Sequence, residues 1–83
     1  MDIKILGPGC LNCQKVAAFA KEAALELGIE ASLEKITDVA EITKYPILRT
    51  PGLVINGHLV SSGRIPTKAE ISNWLKVAMA EGG

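Results

Sequence analysis

Aromatic side chains are scarce in this chain, with one Trp, one Tyr and one Phe among 83 residues. Phe19 and Trp74 each fall on a helical apolar stripe and belong to a core. Tyr45, beside Pro46, is read as either a core-edge residue or part of a rim around the site. An excess of one charge is missing too. Nine Lys plus Arg balance nine Asp plus Glu, and no basic run is present to neutralise phosphates or anionic lipid. Nucleic acid and membrane surfaces are therefore not expected partners. No window approaches the roughly 18 consecutive apolar residues of a membrane span. The N-terminus, MDIKILGPG, lacks the basic and long apolar regions of a signal peptide. A cytoplasmic location is the expectation. Histidine occurs once, as His58 beside a turn, and there is no second cysteine pair, so a closed four-ligand zinc site is not expected.

With 48% hydrophobic and 22% charged positions, residues 1–83 read as a single globular domain. At this length about 60 to 65% of the unfolded surface becomes buried, so one core carries all of the stability.

Periodicity supplies the framework. Residues 2–6 (DIKIL) form a short Ile- and Leu-rich run closed by Gly7-Pro8-Gly9, a strand ending in a turn. Val16, Phe19, Ala20, Ala23 and Leu27 then recur at helical spacing, and Gly28 offers a stop. Residues 29–36 alternate apolar and polar side chains, which predicts a strand with one wet face. Asp38 and Glu41 have capping-box spacing before a short helix, with Val39 and Ile42 on one side and Pro46 beyond it. Residues 53–60 (LVINGHLV) carry Asn56-Gly57 between β-branched runs, the strongest short hairpin signal. Thr67 and Glu70 make a second capping box, and Ile71, Trp74, Leu75, Ala78 and Met79 line a last helix. The order is βαβαββα. A βαβ start demands a parallel pair and the hairpin adds antiparallel strands, so the fold class is α/β, with a mixed four-stranded sheet and helices on its faces.

The only two cysteines, Cys10 and Cys13, stand as C-x-x-C at the start of the first helix. Residues three apart on a helix lie about 5 to 6 Å apart, within the ~4.4 to 6.8 Å span that a disulfide tolerates. As a staple such a bridge is weak, contributing about 2 kcal/mol against roughly 3 for a 15-residue loop. The helix N-terminus, by contrast, favours an anion by about 0.3 to 2 kcal/mol, enough to bring a thiol from about 8.5 toward roughly 7. Cys10, nearer the exposed start of the turn, is the candidate nucleophile, and Cys13 the resolving thiol. Two soft thiolates also suit Cu(I), so binding or transfer of a soft metal through the same pair stands as the alternative. The small copper-binding domains that carry this motif follow a βαββαβ order and end on a strand, whereas this chain ends on a helix.

With the C-x-x-C at a helix start and Thr50-Pro51 just before the third strand, the chain resembles the thioredoxin and glutaredoxin superfamily over nearly its full length. It is most similar to the small redox-active disulfide proteins. The resemblance implies a thioredoxin-like fold and protein thiol–disulfide oxidoreductase activity through Cys10 and Cys13, with no bound cofactor and no metal. It also implies that Pro51 is cis and that the backbone of Thr50 pairs with an extended substrate segment. Protein disulfides and a flavin-dependent disulfide reductase are the implied partners, and a monomer is expected. The pattern departs at Leu11-Asn12 between the cysteines, and at the first strand, where no buried aspartate is found. Only Gly63 matches the glutathione signature of glutaredoxins, so glutathione binding is not implied.

Overall fold

The structure is a computed structural model, and it describes residues 1–7, 11–47 and 49–80. Four strands, β1 (Asp2–Leu6), β2 (Ser32–Ile36), β3 (Gly52–Ile55) and β4 (His58–Ser62), form one sheet in the order β2-β1-β3-β4. β1 and β2 are parallel, while β1 with β3 and β3 with β4 are antiparallel. The mixed α/β sheet expected from the sequence is thus present. Three helices, α1 (Leu11–Glu26), α2 (Val39–Ile42) and α3 (Lys68–Ala80), complete it.

The alternation of β1 divides the core between two faces. Ile3 and Ile5 pack with α1, α3, Leu53 and Ile55, whereas Leu6 and Val54 pack with Ile42 of α2 on the other side. Every residue of β3 is buried, because β1 and β4 flank it and helices cover both faces. Fully burying each such Ile, Leu or Val side chain contributes about 1.5 to 3 kcal/mol.

Local signals explain most element ends. Gly28, at φ +68°, donates its N–H to the carbonyl of Leu25 (3.2 Å), and Ile29 donates to that of Ala24 (2.9 Å). This paired closure terminates α1 and commits residue 29 to the helix cap. For that reason β2 starts at Ser32 rather than at residue 29 as periodicity predicts. Its predicted single wet face is also corrected. Ser32 to Lys35 are all exposed, since an edge strand has one neighbour and α1 leans over β1 instead. At the hairpin, Asn56 (φ 49°) and Gly57 (φ 83°) both adopt the left-handed region that a two-residue turn requires.

Both predicted caps are present, in different forms. In α3 the box closes in both directions. Thr67 Oγ1 accepts from Glu70 N–H (3.1 Å), and Glu70 Oε1 accepts from Thr67 N–H (3.1 Å). In α2, Asp38 accepts from the N–H of Ala40 (3.0 Å), but Glu41 turns to Lys44 (3.1 Å). Two apolar residues depart from expectation. Val39 is 65% exposed, because a helix of four residues presents only Ile42 to the sheet. Met79 is 51% exposed, since it lies about 40° further round the helix than Leu75, beyond the stripe that α3 buries.

Candidate redox site

β1 delivers the chain to the site at one end of the sheet. At the end of β1, Gly7 donates its N–H to the carbonyl of Ile36 (2.9 Å), which extends the parallel ladder by one residue. α1 begins at Leu11, which is 74% exposed, and within its first turn Cys13 is only 4% exposed. The Cys13 sulfur lies directly against Gly7, in space that a Cβ at residue 7 would occupy. The same point is 3.7 Å from Thr50 Cβ. Gly7, Cys13 and Thr50 therefore converge, from the end of a strand, the first turn of a helix and the loop before β3.

The Thr50–Pro51 peptide is cis, the isomer that the resemblance implies. Thr50 is exposed and Pro51 buried. Behind them the Pro51 carbonyl accepts from Gly63 N–H (2.9 Å), which ties the loop to the end of β4. Gly63 is at φ +77°, and a Cβ on it would come within 3.2 Å of Arg49 Cβ. A groove of about 520 Å³ opens beside Thr50, lined also by Ile42, Thr43, Ile47 and Arg49.

Of the residues singled out by sequence, Cys13, Thr50 and Pro51 come together here, and Cys10 lies outside the described residues. Leu11, Thr50 and Gly63 are exposed. Lys15 is exposed on α1 and His58 is exposed at the far hairpin. Among the described residues no three His, Cys, Asp or Glu side chains converge as a metal site. Sequence reasoning missed two participants. Gly7 was read only as a turn residue, although its place one residue past the strand is a signal for close approach. Arg49 carried no signal at all, because its relation to Gly63 spans fourteen positions of chain.

This geometry defines a class, a thioredoxin-like fold with a cysteine at a helix start beside a cis-proline loop. Comparison with known proteins gives the family. The thioredoxin domain family model matches residues 1–76. The chain is 43% identical over 75 residues to a thioredoxin of Methanothermobacter thermautotrophicus, covering 90% of this chain and 97% of that protein. It is 40% identical over 74 residues to a thioredoxin of Methanocaldococcus jannaschii, covering 89% and 85%. The chain belongs to the thioredoxin family. It is a protein thiol–disulfide oxidoreductase, acting on protein disulfides and restored by a reductase.

Proposed function

We propose that Cys10 is the nucleophile of this oxidoreductase and Cys13 the resolving thiol. The Cys10 thiolate attacks one sulfur of a partner disulfide. That bond breaks, and the other partner cysteine leaves as a thiolate and takes up a proton. Cys13 then loses its proton and attacks the Cys10 sulfur, breaking the mixed disulfide and releasing the second partner thiolate, which is protonated in turn. Two electrons have passed to the partner, and Cys10 and Cys13 are left joined. A reductase, which we take to be flavin-dependent, returns two electrons and two protons.

The observation that carries this reading is the Cys13 sulfur seated against Gly7 beside Thr50. A buried sulfur in the first turn of α1 suits a thiol that reacts only with a cysteine close by in the chain. The exposed Thr50, before a proline without an N–H, suits an extended segment that pairs with free backbone groups. We place the activity in the cytoplasm, carried by the 83 residues as one monomeric domain. No described helix is long and apolar enough to cross a membrane.

Cysteine variants test the roles. Reduced Cys13→Ser mixed with a disulfide-bonded test protein is expected to accumulate a mixed disulfide, visible as a mass increase that dithiothreitol reverses. Cys10→Ser is expected to form none. Equal adduct formation by the two variants refutes the assignment.

A further inference from the structure

Arg49 is exposed, yet it is not a loose surface arginine. Its stem lies over Gly63, with Cβ, Cδ and Cγ at 3.2, 3.6 and 3.8 Å from the point where a Gly63 side chain would begin. Gly63 is itself held to Pro51 by the 2.9 Å hydrogen bond. Three acids have partners of their own. Glu41 pairs with Lys44 (3.1 Å), Glu70 with Arg64 (2.7 Å), and the Asp38 side chain caps α2. Among the described residues Arg49 has no ion-pair partner. It is thus a cation with an anchored stem and an uncommitted guanidinium, on the wall of a groove whose other lining is apolar or hydroxyl-bearing and which shares Thr50 with the redox site.

We infer that Arg49 selects partner protein segments that carry an aspartate or glutamate next to the disulfide cysteine. The inference rests on Thr50 and Pro51 receiving that segment, as proposed above. A segment bound at Thr50 lays the neighbours of its cysteine over the groove, where a carboxylate meets two parallel N–H donors of the guanidinium. Anchoring of the arginine stem reduces the side-chain entropy lost on binding.

The test uses two symmetrical disulfide dimers of a short single-cysteine peptide, one with Glu and one with Gln on both sides of the cysteine. Single-turnover reduction by the pre-reduced protein gives a second-order rate constant for each. Dividing by the rate constant with dithiothreitol removes the intrinsic effect of the flanking charge. The normalised Glu-to-Gln ratio is expected to be roughly fivefold for the wild type, about one for Arg49→Gln, and again roughly fivefold for Lys44→Gln. It is expected to fall toward one as salt rises to about 0.5 M. A wild-type ratio of one overturns the inference while leaving the docking at Thr50 intact. So does a ratio that survives in Arg49→Gln. Reduction of both dimers no faster than by dithiothreitol overturns the docking reading and this inference with it. Glutathione disulfide reacting faster than the Glu dimer, with the same dependence on Arg49, overturns the protein segment as the occupant.

Discussion

The Cys13 sulfur fills the space that a side chain at Gly7 would occupy. A strand end without a Cβ thereby lets a helix bring a thiol against the backbone of the central sheet. The same absence keeps Thr50 within van der Waals reach of that point, so one glycine sets the spacing among three elements.

Replacing Gly7 with Ala is therefore expected to push the Cys13 sulfur aside and to strain α1 against β1. Overpacking of this kind costs about 1 to 3 kcal/mol. Urea unfolding checks the stability. The redox equilibrium with dithiothreitol checks the thiol, and an unchanged midpoint together with unchanged stability would contradict the close approach.

The capping box of α3 makes a separate prediction. Thr67→Ala removes the acceptor for the Glu70 N–H and is expected to cost about 1 kcal/mol of stability at neutral pH. A fall of several degrees in Tm is the readout for a domain of this size.

Acid should expose the contribution of Glu70. Hydrogen bonds from Arg64, followed by the N–H of Thr67, hold its carboxyl down from 4.5 to about 2. A depressed folded-state pKa means stability that is present above about 4.5 and lost as pH falls toward about 2. Glu70→Gln is expected to be less stable than the wild type at pH 7, with the gap closing across that interval. Thermal melts of both proteins from pH 7 to pH 2 check it. A gap that stays constant over the interval would show that the carboxylate contributes nothing through its charge.

Ser61 supplies the opposite sign. Its hydroxyl is buried in β4 and has no hydrogen-bond partner among the described residues. Leaving a buried hydroxyl unsatisfied costs about 1 to 3 kcal/mol, so Ser61→Ala is expected to raise stability by about 1 kcal/mol. Loss of stability in chemical denaturation would imply a partner that the fold conceals.

The elements with strong local signals read well from sequence. β1 matched its Ile and Leu run, while Asn56-Gly57 made the hairpin and Thr67 with Glu70 the cap because those two rest on interactions within four residues. β2 was misplaced for an equally local reason, since the closure at Gly28 and Ile29 competed with the alternation that follows it. Val39 and Met79 were misjudged because periodicity says which residues share a face, and not how much of that face a neighbour covers.

By itself, then, the sequence determined the element order, the caps and the hairpin, all written in short-range spacing. Only the tertiary structure decided that β2 lies exposed at the sheet edge, that Gly7 makes room for the Cys13 sulfur, and that Gly63 holds both Pro51 and Arg49. Those relationships join residues brought together by the closing of the sheet. The last two depend on the missing side chain of a glycine, whose effect is set by what packs against it and not by its neighbours in the chain.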